Sequence, residues 1–212
     1  MRVKIDSRSS VCLFQTRTES ARVTSYTVVM ATKKTASRSK KPKKSISRDK
    51  KRATQSLLVG NPAPAFSAPD QEGKLHALRR YRGQWILLYF YPKDDTPGCT
   101  KEACGLRDEW DEFEKLNAVV LGVSIDSSAS HLKFSQKYQL PFPLLADPQK
   151  TLVKLYGAWG KKTFMGRDYL GTRRSSFLID PEGRIARIYS EVVPGAHALE
   201  VLGDIRTLSA KK

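Results

Sequence analysis

The sequence predicts an α/β layered domain built on a mixed sheet and preceded by a basic tail, and three observations carry that reading. Trp85–Tyr91 (WILLYFY) is an unbroken apolar run, the mark of a central strand covered on both faces. From Cys99 the apolar positions fall at Ala103, Leu106, Trp110, Phe113 and Leu116, a three-and-four spacing that puts them on one face of a helix about five turns long. Further on, SSFLID, PEGR and IARIYS read as strand, turn and strand, a hairpin added to a sheet whose earlier strands are joined through helices.

The elements follow in order. After Gly60 the stretch NPAPAF is extended and broken by proline, and Asp70–Gly73 makes a turn. Pro92 ends the Trp85–Tyr91 strand, and Ala118–Ile125 is a second buried strand. Ser127–Tyr138 reads as a helix with Ser127 or Ser128 as its cap. Leu144 and Leu145 belong to a short strand before Asp147 and Pro148, and Leu152, Val153, Leu155 and Tyr156 mark a helix ending near Gly157. After the hairpin, Ala196–Ser209 closes the chain as a helix. Strand, helix, strand, helix, strand, then hairpin and helix is the order of an α/β domain with a mixed sheet.

The tail differs in kind. The chain of 212 residues carries a formal charge of +17, and residues 1–56 hold 16 of its 38 Lys and Arg but only 3 of its 21 acidic residues. That segment is therefore net +13 and the remainder only +4, so the high isoelectric point describes an appendage. Residues 31–53, ATKKTASRSKKPKKSISRDKKRA, lack the large apolar side chains that would repay the entropy of ordering. Residues 1–55 are expected to be a disordered basic extension and residues 56–212 the folded domain. Residues 1–29 read either as an organellar transit peptide or as sequence ahead of a true start at Met30. The lysine run over residues 33–52 reads as a solvated tail, with non-specific nucleic-acid contact or nuclear import as alternatives; it has no aromatic residues for base stacking.

Three cysteines in a chain of this length point to a reducing compartment rather than a secreted disulfide framework, and Cys12 reads as incidental. No stretch approaches the roughly 18 consecutive apolar residues of a membrane-spanning helix. The expectation is a soluble cytoplasmic protein, organellar or nuclear if the extension is a targeting signal.

Cys99 and Cys104 lie in YFYPKDDTPGCTKEAC, where an apolar strand passes through a turn into a helix. At a helix start, unpaired amides and the positive end of the dipole favour a thiolate, which makes Cys99 a candidate reactive thiol. Cys104 is near enough to trap what Cys99 becomes. Residues five apart rise about 7.5 Å along a helix and point in different directions, against a sulfur–sulfur bond of about 2 Å, so a disulfide between them requires the first turns to unwind. Ionisation alone does not make a fast thiol: lowering a pKa from about 8.5 to about 6 raises the thiolate at pH 7 only about thirtyfold, and nucleophilicity falls as the pKa falls. The site also needs donors aimed at developing charge. Thr96 supplies a hydroxyl, and Pro97 and Gly98 permit a close backbone approach. Arg174 supplies a guanidinium, provided the strand it opens lies beside Trp85–Tyr91.

Pro92, Thr96 and Cys99 spell PxxxTxxC, and with DxTPGCTxEAC the chain resembles the peroxiredoxins of the bacterioferritin comigratory protein, or peroxiredoxin Q, type. The likeness runs from about Val59 to Leu208 through YFYP, SxDSxxSHxxF, YGAWG, FMGRDY and RSSFLID. It implies a thioredoxin-like fold, a central mixed β-sheet flanked by helices. It also implies a thiol peroxidase that reduces hydrogen peroxide and organic hydroperoxides to water and alcohols, in antioxidant defence and redox homeostasis. Carried over by position, Cys99 matches the peroxidatic cysteine that becomes a sulfenic acid, and Cys104 the resolving cysteine that closes an intramolecular disulfide, the atypical two-cysteine arrangement. Thr96 matches the threonine that bonds peroxide and thiolate, Arg174 the arginine that lowers the thiol pKa and polarises the substrate, and Pro92 the shield against water. The resemblance further implies re-reduction by thioredoxin or a similar dithiol, and a monomer or weak dimer.

Rival readings are a general thiol–disulfide oxidoreductase, against which the missing CxxC argues, a nucleic-acid-associated protein acting through the tail, and an inert buried cysteine pair. His76, His131 and His197 are scattered without metal-ligand spacing and read as surface or packing residues. Trp110 and Phe113 read as core, and Asp94 with Asp95 as a solvated turn. No glycine-rich phosphate loop follows a strand, and nothing suggests a flavin, nicotinamide, haem or metal cofactor.

Overall fold

The computed structural model describes residues 57–164 and 166–210; the basic extension of residues 1–55, with Cys12 and the lysine run, lies outside the described residues. The domain opens on a short hairpin, β1 (Ser67–Pro69) and β2 (Leu75–Ala77), closed by the expected Asp70–Gly73 turn. Asp70 Oδ1 holds that turn by accepting from the amides of Glu72 and Lys74 at 2.8 and 2.9 Å. Then β3 (Trp85–Phe90) leads into α1 (Pro97–Asp108) and α2 (Trp110–Lys115), β4 (Ala118–Ser124) into α3 (Ser128–Tyr138), and β5 (Leu144–Ala146) into α4 (Thr151–Leu155). A second hairpin, β6 (Trp159–Phe164) and β7 (Arg167–Thr172), precedes β8 (Ser175–Ile179), β9 (Ile185–Tyr189) and α5 (His197–Ser209). Of the two candidate caps of α3, Ser127 is the one used, its hydroxyl accepting from the amide of Ser130 at 3.3 Å; Ser128 instead donates to the carbonyl of Asp70.

Five strands make the central sheet in the order β5-β4-β3-β8-β9. The first three run parallel, joined through helices, while β8 and β9 are antiparallel, so the sheet is mixed as the sequence predicts. β3 lies at its centre, and its alternate residues enter two separate cores. Leu87 and Tyr89 pack with Leu106, Phe113, Phe134 and Val201 from α1, α2, α3 and α5. Ile86, Leu88 and Phe90 face the other way, onto Ala63, Phe66 and the Leu152–Val153 pair of α4. Each such large apolar side chain, fully buried, contributes about 1.5–3 kcal/mol, and an unbroken apolar strand is what two cores require.

The register also decides where the site forms. β3 runs into α1 at its C-terminal end, and the antiparallel β8 begins there, with Ser175 opposite Phe90. Arg174, one residue before β8, is thereby brought to the point where β3 hands the chain to α1.

One close approach fixes the neighbouring strand. Gly122 on β4 stands opposite Tyr89, and an added Cβ would lie 2.7 Å from Leu144 Cδ2 and 2.8 Å from the Tyr89 ring and hydroxyl. Both neighbours are buried in the core. Gly122→Ala is therefore expected to cost about 1–3 kcal/mol by overpacking, read as a lower urea midpoint at unchanged slope.

Two elements depart from the sequence reading. The five-turn helix is two helices, because the backbone leaves helical geometry at Glu109, with φ −100° and ψ 13°. Ala103, Leu106 and Phe113 nevertheless remain buried and Trp110 and Leu116 pack at the rim. Apolar spacing records which residues face the core and is blind to one broken link in the hydrogen-bond ladder. The β6–β7 hairpin was not anticipated as strands, since its described side chains up to Gly171 are exposed or half-buried and show no apolar pattern. Among the described residues no helix is long and apolar enough to cross a membrane.

Candidate active site

Local chemistry sets the entry to α1. Thr96 is extended (φ −96°, ψ 150°), and Pro97 takes the first helical position, where a fixed φ and a missing N–H carry no penalty. The first amide bond of the helix runs from Thr100 N to Thr96 O at 2.8 Å. The amides of Gly98 and Cys99 lie ahead of it without an intrahelical acceptor, at the positive end of the dipole. Cys99 is 2% exposed and Cys104, on the same helix, is half-buried; both are free thiols.

Arg174 faces Cys99 across this corner. Its Nη2 donates to Cys99 Sγ at 3.3 Å, and its Nη1 donates to Glu102 Oε2. A Cβ at residue 98 would stand 3.2 Å from the same Nη2, so glycine there lets the guanidinium approach the helix start. Burial pulls the Arg174 pKa down, but the charges of Glu102 and Cys99 outweigh it and the net shift is upward. Glu102 is only 1% exposed, and burial pushes its carboxyl up to about 7 against the charge and hydrogen bond of Arg174.

Behind this trio the interior is polar but sparsely bonded. Tyr89 Oη, Glu102 Oε1, Ser175 Oγ and His197 Nδ1 are buried without a hydrogen-bond partner among the described residues. His197 is held by its other nitrogen, 2.9 Å from Ser176 Oγ, and burial together with the charge of Arg174 lowers its pKa to about 4. Burial and the neighbouring Glu102 and Cys99 push the Tyr89 phenol well up.

The loop before α1 is clamped to α3, which corrects the reading of Asp94. Asp94 does not sit in a solvated turn: it is 7% exposed and accepts from Tyr91 Oη and Ser130 Oγ, both at 2.7 Å, with His131 Nδ1 at 2.9 Å. Burial raises its pKa, but these hydrogen bonds and the His131 charge outweigh it, leaving the carboxyl below its ordinary value. Its own amide donates to Asp126 Oδ2 at 2.9 Å. Asp95 alone is exposed, bonded to Lys137 and Tyr138. All three histidines are packed residues, none at the surface. Phe113 is core, whereas Trp110 lies at its rim against Phe142.

Of the residues singled out in the sequence, Pro92, Thr96, Cys99 and Arg174 meet at the C-terminal end of β3, and Cys104 lies five residues along α1. The hydroxyl of Thr96 donates to the carbonyl of Lys93 at 3.1 Å rather than to Cys99. Pro92 is half-buried at the bend. Sequence reasoning missed Glu102 and the Asp94–His131 pair. The signal for Glu102 was present: it lies three residues from Cys99, on the same side of the helix and beside the core-facing Ala103, where a charge needs a partner. Among the described residues no group of His, Cys, Asp or Glu is placed to hold a metal ion.

The AhpC/TSA family model matches residues 59–188. The chain is 48% identical over 150 residues to the putative peroxiredoxin bcp of Coxiella burnetii, covering 71% of this chain and 99% of the relative. It is 42% identical over 155 residues to peroxiredoxin Bcp of Bacillus subtilis, covering 73% and 99%. Among solved structures, the bacterioferritin comigratory protein of Xanthomonas campestris superposes with a TM-score of 0.65 at 36% identity, over 68% of this chain and 92% of that one. Together with the thioredoxin-like sheet and the corner where Arg174 meets Cys99, these matches establish that the chain belongs to the AhpC/TSA family, as a peroxiredoxin of the Bcp, or peroxiredoxin Q, type.

Proposed function

We propose that the protein is a thiol peroxidase of antioxidant defence, which reduces hydrogen peroxide and organic hydroperoxides at Cys99, resolves the product with Cys104, and is re-reduced by thioredoxin or a similar dithiol. The observation that carries this is the buried Cys99 sulfur in the first turn of α1, with the Arg174 guanidinium donating to it at 3.3 Å. A positive donor and the helix dipole both favour a negative sulfur. The Xanthomonas relative is described as reducing alkyl peroxides, which supports alkyl hydroperoxides as a substrate class.

In the first step the thiolate attacks the nearer peroxide oxygen; an S–O bond forms, the O–O bond breaks, and the departing oxygen leaves as water or alcohol after gaining a proton. Arg174 stabilises charge on the oxygens as it develops. Thr96 serves the same oxygens, its hydroxyl leaving the Lys93 carbonyl, and Pro92 covers the sulfur from solvent. Cys104 then attacks the sulfenic sulfur, the S–S bond forms and water departs. The reductant's dithiol returns both cysteines to thiols by exchange, supplying two electrons.

The second step needs movement. Both cysteines lie within α1, about 7.5 Å apart along its axis by helical rise. The segment around Cys99–Cys104 therefore unwinds when the disulfide forms, and Glu102 and Ala103 leave their buried places. Amide hydrogen exchange over Pro97–Asp108 is expected to be at least tenfold faster in the oxidised protein. Equal protection in the two forms would refute the unwinding step. Cys104→Ser is expected to keep the first reaction with peroxide within about threefold while turnover with a dithiol stalls at sulfenic acid, read by mass after trapping with a sulfenic-acid reagent.

A further inference from the structure

Arg174 serves two buried acids at once. Nη2 reaches Cys99 Sγ and Nη1 reaches Glu102 Oε2, and the two acids are 2% and 1% exposed. Among the described residues, the other titratable groups around them are neutral near pH 7: Tyr89 from β3, whose phenol is pushed well up, and His197 from α5, lowered to about 4. Among the described residues, Arg174 is thus the one full positive charge offered to two groups that can each be negative. A second anion would be buried without a counterion, which protein interiors do not tolerate when a proton is available.

On the reading of Cys99 as the peroxidatic thiol, we propose that Cys99 and Glu102 share a single proton over Arg174, so that Glu102 stores the proton which the peroxide reaction consumes. When Cys99 is a thiolate, Glu102 is a carboxylic acid; when Cys99 is a thiol, Glu102 is a carboxylate. Glu102 Oε1, buried and without a partner among the described residues, is the oxygen free to carry that proton. Attack on a peroxide converts the negative sulfur into a neutral sulfenic acid. Only Glu102 then remains to answer Arg174, so its carboxyl gives the proton up as the departing oxygen needs one. The balance is thiolate, carboxylic acid and hydroperoxide going to sulfenic acid, carboxylate and alcohol, with no proton drawn from solvent. Glu102 acts here as a proton store beside the reacting sulfur; it also holds Arg174 in place, and the two roles predict different results.

A structural role alone leaves Glu102 ionised throughout, so each thiolate consumed takes up one proton from solvent whether residue 102 is glutamate or glutamine. Proton sharing makes the opposite forecast, because the proton comes from Glu102 itself, and glutamine, which still accepts from Nη1, has no carboxyl proton to give. The deciding measurement is proton uptake during one turnover, in full-length Cys104→Ser protein mixed with one equivalent of hydrogen peroxide in weak buffer at pH 7 with an indicator dye. Near zero protons per sulfenic acid are expected with Glu102 present, and close to one with Glu102→Gln. Uptake of one proton with Glu102 present overturns the inference whether or not the glutamine variant folds, and near-zero uptake in both proteins overturns it too. If no sulfenic acid forms at Cys99, the reading of Cys99 as the peroxidatic thiol falls instead.

Discussion

Replacing Cys99 by serine is expected to lower kcat/KM for peroxide by roughly a thousandfold or more while changing folding stability by no more than about 1–3 kcal/mol. The substitution exchanges one chalcogen for another in a site that is 2% exposed, and a serine hydroxyl can still accept from Arg174 Nη2. Packing and the ion pair of Arg174 with Glu102 are preserved, so the loss is chemical. A hydroxyl stays protonated where a thiol ionises, and the O–O bond then meets no anionic nucleophile. The check is dithiol-coupled peroxide consumption by wild type and Cys99→Ser side by side, with urea unfolding of both. Unimpaired turnover in the variant would end the reading of Cys99 as the peroxidatic residue, whereas inactivity accompanied by unfolding would leave the chemistry to be tested by thiol alkylation of the native protein.

What made this site legible before the structure was local chemistry. The β3 run is unbroken because both of its faces are buried, and Pro97, Gly98 and Cys99 follow it as the start of a helix. Arg174 was legible only on a condition, since its distance from Cys99 depends on β8 pairing with β3, a contact between segments some 90 residues apart that no local pattern reveals. Glu102 and Asp94 show the complementary limit. Charged residues next to a turn or on a short helix usually face water, and both of these are buried because a distant residue answers them: Arg174 for Glu102, His131 for Asp94. The Asp94 partner came from SxDSxxSHxxF, a segment that carried the family resemblance without a role attached. The β6–β7 hairpin escaped for a different reason, since its pairing rests on backbone bonds and buries little side-chain surface to leave a periodic trace.

Arg174→Ala is expected to have the second large effect, and on two observables together. Losing a guanidinium aimed at developing charge lowers kcat/KM by roughly 100- to 1000-fold. Losing one partner of a buried pair also destabilises the fold, by about 3–5 kcal/mol where Glu102 is ionised. The pH dependence separates this from simple loss of packing. In the wild type Glu102 titrates at about 7, above its ordinary 4.5, so its contribution to stability is full below pH 4.5 and is lost as pH rises through 7. His197, lowered from 6.5 to about 4, acts in the opposite sense: its contribution is present above pH 6.5 and is lost as pH falls towards 4. Between these limits the two slopes offset each other in the wild type. Without Arg174 the Glu102 pKa rises further, so the loss of stability continues beyond pH 7, while the weaker repulsion on His197 flattens the acid side. Urea unfolding of reduced protein between pH 5 and 9 is the measurement. Arg174→Ala should fall progressively below wild type as pH rises, and Arg174→Ala/Glu102→Gln should recover part of the loss because no uncompensated acid remains. A parallel offset at every pH, with no recovery in the double variant, would mean that Arg174 acts on the fold through packing alone.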